Sequence, residues 1–154
     1  MTELLDIKAK DKGIGGALSN FAPHAFTVDG VQCASMEGFL QSLKTPSVKK
    51  QQKICAMTGI DAKNAFRYSP RRYLFLKTHK VYWKGKTVDR MSEEFDELIT
   101  QAYDCLFENP DFRRALEGAK GKNLIHSHGK AKKKETVLTE EEFIFQLLRL
   151  MEKV

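Results

Sequence analysis

The segment Phe26-Thr27-Val28-Asp29-Gly30-Val31-Gln32-Cys33 constrains this chain more than any other. Asp-Gly between two short apolar runs specifies a two-residue β-hairpin with a type I′ turn, because both turn positions need positive φ and these residues tolerate it. The register that follows pairs Val28 with Val31 and Phe26 with Cys33, so four apolar side chains share one face, which must lie on a core. Ser35 then stands where a helix cap belongs, and Met36, Phe39, Leu40 and Leu43 recur at i, i+3, i+4 and i+7 before Pro46 ends the pattern. A hairpin leading straight into an amphipathic helix is the start of an α+β fold.

The rest of the chain reads as mostly helical. Gly13-Ile14-Gly15-Gly16 is a flexible loop, Ser47 to Met57 a helix stopped by Gly59, and Asp61 to Arg67 a short helical segment before Ser69-Pro70. Tyr73 to Trp83 holds two apolar runs too short for periodicity to separate strand from buried helix, so both remain open there. From Ser92, the stripe Phe95, Leu98, Ile99, Ala102 and Leu106 marks a helix with Glu93 and Glu94 in its first turn. Asn109-Pro110 opens another, with Phe112, Ala115 and Leu116 inward and Gly118 as its stop. Thr139 and Glu142 form a capping box for a last helix whose apolar side is Ile144, Leu147, Leu148 and Met151. The expected class is α+β, a mainly helical single domain over 1–154 with a small antiparallel β element.

At 154 residues, 42% hydrophobic with ten Phe, the chain can bury a core without metal or disulfide. Cys33, Cys55 and Cys105 are odd in number and never in a Cys-x-x-Cys pair, which fits free thiols in a reducing compartment. No run reaches the roughly 18 apolar residues of a membrane span, and Met1 to Lys12 lacks a signal-peptide core, so no membrane partner and a cytoplasmic address are expected. The formal net charge of +6 favours anionic partners.

Glu37, Gln41 and Lys44 stack at i, i+4 and i+7 beside the apolar face of the Ser35 helix. Spacing alone equally describes a solvated helix face. Glu37 also lies in the first turn, where the helix dipole favours an ionised carboxylate. Gly15 and Gly16 offer backbone N–H groups to a phosphate, Arg90 and, more weakly, Arg71-Arg72 offer charge, and Trp83, set among cations, offers a stacking surface or a core side chain. His126 and His128 lack a third ligand nearby in sequence, so no metal site is expected, and the lysines from Lys130 to Lys134 read as a solvated loop.

Leu18-Ser19-Asn20-Phe21, the Asp29-Gly30 hairpin, Ser35-x-Glu37 and Gln41-x-x-Lys44 together resemble the N-terminal signature of the NADAR/YbiA-like family. Looser similarity continues through Ala62 and Ala65, Phe107-x-Asn109-Pro110 and Leu124-Ile125-His126. The resemblance implies a YbiA-like fold and an N-glycosidase without cofactor or metal. It would cleave the N-ribosidic bond of an ADP-ribosylated nucleobase, free or in nucleic acid, or of a related phosphoribosyl or NAD-derived metabolite. On the matching positions, Glu37 is the catalytic carboxylate, and Asn20, Gln41 and Lys44 bind substrate, with Trp83 and Arg90 as further candidates. Asp61 and Asp89 are candidates for a second carboxyl group. Two positions depart from the pattern: Gly38 stands where the family often has His, and His126-Ser127-His128-Gly129 replaces an Asp…Trp-Gly segment. The second departure favours an alternative, a non-catalytic module that binds ADP-ribose, NAD or nucleic acid.

Overall fold

A computed structural model describes residues 2–154. In chain order the elements are β1 (Leu4–Asp6), α1 (Ile14–Leu18), β2 (Phe26–Val28), β3 (Val31–Cys33), α2 (Met36–Ser42), α3 (Val48–Cys55), α4 (Gly59–Lys63), α5 (Arg71–Thr78), β4 (Lys80–Trp83), β5 (Lys86–Asp89), α6 (Glu93–Leu106), α7 (Pro110–Ala119), β6 (Asn123–Ile125) and α8 (Glu140–Met151). The fold is α+β and mainly helical, as expected, with its strands in three separate pairs.

The β2–β3 hairpin has the expected register, Phe26 opposite Cys33 and Val28 opposite Val31. Asp29 (φ 50°) and Gly30 (φ 77°) supply the two left-handed residues of its turn. The region left open from Tyr73 to Trp83 divides cleanly. Helix α5 ends on a left-handed His79 (φ 55°), and β4 and β5 make a second antiparallel hairpin through Lys84 (φ 50°) and Gly85 (φ 85°). Its inward positions, Val81, Trp83 and Val88, alternate with exposed ones, and Trp83 meets Phe39 edge-on at 5.0 Å. The two hairpins are thus joined through one aromatic cluster on α2.

Several expectations need correction. The β content is not only antiparallel: β1 and β6 pair in parallel, Leu5 opposite Leu124, which brings the chain's start beside its last third. Gly13 to Gly16 is not a free loop but the first turn of α1. A Cβ on Gly15 would stand 2.8 Å from the Asp6 carbonyl oxygen, and one on Gly16 would stand 1.7 Å from that of Asp11, so close packing explains both glycines. The Asp11 carboxylate already accepts the Gly13 N–H at 3.0 Å, which leaves that turn a poor place for a phosphate. Gly59 opens α4 rather than stopping α3, and Gly118 lies inside α7, where a Cβ would stand 2.9 Å from the end of the Ile14 side chain of α1.

The buried stripe of α8 is Phe143, Leu147, Leu150 and Met151, while Leu148 is exposed. The rotation has a cause at the helix start. The capping box forms, and Glu142 also turns inward to take both terminal nitrogens of Arg90, so the helix presents the face beginning at Phe143. Arg90 is wholly buried, donates from Nε to the Thr136 carbonyl at 3.0 Å and stacks its guanidinium 4.3 Å from the Phe95 ring centre. It ties the second hairpin to α6 and α8.

Candidate active site

The arrangement around Glu37 begins with the cap. Ser35 Oγ accepts the Gly38 N–H at 3.0 Å and donates to the Met57 carbonyl at 2.9 Å, fixing the start of α2 against the end of α3. Gly38 follows from the same approach. A Cβ there would lie 2.7 Å from the Met57 carbonyl oxygen and 2.9 Å from that of Ile54, so this packing admits no side chain next to Glu37. The Glu37 N–H donates to the Asn20 carbonyl at 2.9 Å, which holds the Ser19-Asn20-Phe21 loop across the helix start.

Glu37, Asn20, Gln41 and Lys44 therefore stand together, all partly buried. Gln41 Nε2 donates to Glu37 Oε1 at 3.0 Å. Gln41 Oε1 is enclosed and finds no hydrogen-bond partner among the described residues. Buried acceptors are normally satisfied, so this atom is a place where a ligand hydroxyl fits.

Asn20 is oriented by a residue that sequence patterns gave no reason to choose. Tyr103, on α6 and fully buried, donates its hydroxyl to Asn20 Oδ1 at 2.7 Å. With its oxygen so occupied, Asn20 has its amide N–H groups left to offer. Tyr103 stands outside the α6 stripe expected from the sequence, and only the fold brings it to a loop 83 positions earlier.

Burial pushes the Glu37 carboxyl above the ordinary carboxylate range, against the Gln41 hydrogen bond and the electrostatic pull of Lys44, Lys63 and His126. Desolvation thus outweighs the helix dipole that favoured a plain anion, and the group is suited to taking up and giving back a proton. Burial likewise lowers Lys44 below the usual lysine range; Glu37 opposes this, while Lys130 and Arg72 add like-charge repulsion. The two lysines that bear on Glu37 are cationic, and none of the influences on its pKa comes from an acidic neighbour. Lys63, from α4, acts electrostatically on Glu37, and Lys130, from the basic loop, on Lys44, although their positions in the sequence mark them only as surface lysines.

His126 is held from three sides. Its Nδ1 lies 2.8 Å from the Ile7 carbonyl, which can only accept, so Nδ1 carries a proton. Its backbone N–H donates to Glu140, and its ring meets Phe143 edge-on at 5.2 Å. The next residue, Ser127, is clamped to the Asp6 carboxylate by its N–H and hydroxyl.

The other candidates lie apart from this group. Trp83 Nε1 donates to Asp29 at 2.7 Å with the ring in the core, and Arg90 is committed to Glu142 and Thr136. Asp89 is exposed and takes the Met91 N–H at 2.9 Å, and Asp61 is exposed on α4. Among the described residues no group of three or more His, Cys, Asp or Glu is placed to hold a metal ion. None of their helices is long and apolar enough to cross a membrane.

Comparison with known proteins agrees with this architecture. The solved structure of the Escherichia coli protein YbiA superposes with a TM-score of 0.63 over 99% of this chain and 86% of that one, at 17% identity. That is a likeness of fold, and it is the fold expected from the N-terminal motif. An uncharacterized 17.1 kDa protein from the Gp30-rIII intergenic region of Enterobacteria phage T4 is 38% identical over 142 residues, 91% of each chain. The family model described as bacteriophage protein GP30.3 matches residues 12–152. The chain belongs to the bacteriophage GP30.3 family, and it is built on the YbiA fold.

Proposed function

We propose that the protein is an N-glycosidase that hydrolyses the N-ribosidic bond of an ADP-ribosylated nucleobase, with smaller phosphoribosyl or NAD-derived metabolites as the neighbouring substrate class. The observation that carries this reading is a partly buried carboxyl of raised pKa set among cations, with an unpaired amide oxygen beside it. In the reaction the C1′–N bond breaks with its electron pair leaving on the base nitrogen. Positive charge spreads over C1′ and the ring oxygen, and a negative carboxylate held close stabilises it. Water then closes on C1′ and gives its proton to Glu37, whose raised pKa makes it a better base than an ordinary carboxylate, and the protonated carboxyl passes that proton on to the departed base nitrogen, which restores the carboxylate.

Asn20 and Gln41 suit the sugar hydroxyls: Asn20 donates, and Gln41 Oε1 accepts. Arg72 and Lys130 each repel the Lys44 charge, and a phosphate bound beside Lys44 would relieve that repulsion. The direct test is incubation with an ADP-ribosylated guanine or thymine nucleoside and chromatography for free base, which this reading requires.

The cation cluster makes a separate prediction. Lys44→Ala should weaken ADP-ribose binding at least about tenfold, as expected for a charge-assisted contact in a partly enclosed site, and leave binding of the unphosphorylated nucleoside nearly unchanged. Equal losses for both ligands in calorimetry would assign Lys44 to the helix end rather than to the phosphate.

A further inference from the structure

Tyr103 carries the only hydroxyl among the buried side chains of α6, where its neighbours are Phe95, Leu98, Ile99, Ala102 and Leu106. It is 0% exposed, and Phe143 of α8 lies against it with the ring centres 6.4 Å apart. A phenylalanine would fill that space without taking a hydroxyl out of water, which is costly unless the hydroxyl is paired. The pairing is with Asn20 Oδ1, to which Tyr103 donates at 2.7 Å. Burial, against the Asn20 hydrogen bond and with the Glu37 charge, holds the phenol protonated well above its ordinary range, so it is a permanent donor.

We infer that Tyr103 is a positioning residue, which by locking the Asn20 amide makes the site select a sugar with two vicinal hydroxyls. An asparagine free to turn presents either its oxygen or its nitrogen. A donor on Oδ1 settles the choice and leaves Nδ2 to donate. Gln41 is settled in the opposite sense: its Nε2 donates to Glu37 Oε1 at 3.0 Å, and its enclosed Oε1 is left to accept. Both residues are tied to Glu37, Gln41 by that bond and Asn20 by its carbonyl, which takes the Glu37 N–H at 2.9 Å. One fixed donor and one fixed acceptor thus accompany the carboxyl. A ribose diol satisfies both at once, since each hydroxyl can accept and donate. A deoxy sugar leaves one of them unpaired in a partly buried site, which costs more than the missing bond itself. This deepens the glycosidase reading and rests on it for the reaction: the bond cleaved belongs to a ribosyl rather than a 2-deoxyribosyl group.

The test compares two probes in calorimetry, ADP-ribose and its analogue lacking both hydroxyls of the terminal ribose. Wild-type protein should bind ADP-ribose about tenfold or more tighter than the analogue. Tyr103→Phe keeps the ring and removes the hydroxyl. It should weaken ADP-ribose binding about threefold or more and leave the analogue nearly unaffected, so the ratio shrinks. Asn20→Asp keeps an acceptor for the Tyr103 hydroxyl but replaces the donor by a second acceptor, and it should shrink the ratio as well. In an Asn20→Ala background, Tyr103→Phe should change the ratio no further, because it acts through Asn20. A purely structural Tyr103 predicts a shifted thermal midpoint with the ratio intact. That outcome, equal binding of the two probes by the wild type, binding of neither, or a native ratio in Asn20→Asp would overturn the assignment. If Tyr103→Phe does not fold, Asn20→Asp decides. Base release by a wild type that binds both probes alike would sink this proposal alone; a wild-type preference that both variants abolish, without base release, would sink the glycosidase reading alone.

Discussion

Glu37→Gln is expected to lose about 100-fold or more in kcat while the protein stays folded and, at neutral pH, gains stability. The substitution keeps the length of the side chain and an oxygen to accept the Gln41 N–H, now 3.0 Å from Glu37 Oε1. What it removes is the negative charge facing the transition state, so turnover should fall and ligand affinity should not. Stability moves the other way because burial raises the Glu37 pKa. The folded protein holds this proton more tightly than the unfolded chain does. The stabilising contribution of the protonated form is complete below the unfolded value near 4.5 and is lost as pH rises through the higher folded value. Above the folded value the wild type bears an ionised carboxylate that burial disfavours, and the neutral amide does not. The advantage of the variant should vanish in acid. A solvated helix face predicts something different, a change of at most about 0.5 kcal/mol with turnover intact.

Glu142→Ala is expected to cost about 3–5 kcal/mol of folding stability, because it leaves the buried Arg90 guanidinium without its counter-charge and also breaks the capping box of α8. Against a total of about 5–15 kcal/mol for a domain, that is a large share. The Lys86–Glu94 bridge is a control: at 2.9 Å it is as well formed, but both side chains are about half or more exposed, and Glu94→Ala should cost no more than about 1 kcal/mol. Burial pushes the Glu142 carboxyl up, but the hydrogen bonds from Arg90 and the Thr139 N–H more than offset it and hold the group below its usual range. A depressed carboxyl stabilises above its unfolded pKa and loses that stabilisation as pH falls through the folded value. The gap between wild type and Glu142→Ala, followed by denaturant melts, should therefore narrow in acid. A loss no larger than that of the exposed control would show that Arg90 finds other partners.

What the sequence made legible was local. The Asp29-Gly30 turn, the Ser35, Ser92, Asn109 and Thr139 caps and the long stripe of α6 are each fixed by residues within a few positions, and all of them form. The parallel pairing of β1 with β6 depends on residues more than a hundred positions apart and leaves no local mark. The Lys84-Gly85 hairpin was missed for a different reason: lysine rarely adopts the positive φ it has there, so the pair does not advertise a type I′ turn. The α8 face was misjudged because Ile144 and Leu148 suggest one stripe, while Arg90, from another hairpin, sets the rotation.

The candidate site divides along the same line. Glu37 and Gln41 lie on α2, Lys44 in the turn just past its end and Asn20 in the loop after α1, so motif and spacing together reached them. Tyr103, Lys63 and His126 come from three other elements and become visible only when the chain closes around Glu37. The pKa of Glu37 was also beyond sequence. The first-turn position argues for an easily ionised group, and the enclosure that reverses this is a property of the fold.

The central claim is that Glu37 acts on an N-ribosidic bond, and one comparison tests it most directly: base release, ADP-ribose affinity and thermal midpoint for wild type and Glu37→Gln from matched preparations. The account predicts free base from the wild type, release at about 1% or less from the variant, unchanged affinity, and a midpoint at neutral pH no lower than that of the wild type. A folded, ligand-binding variant with near-native release would contradict it, as would a wild type that binds ADP-ribose and releases no base.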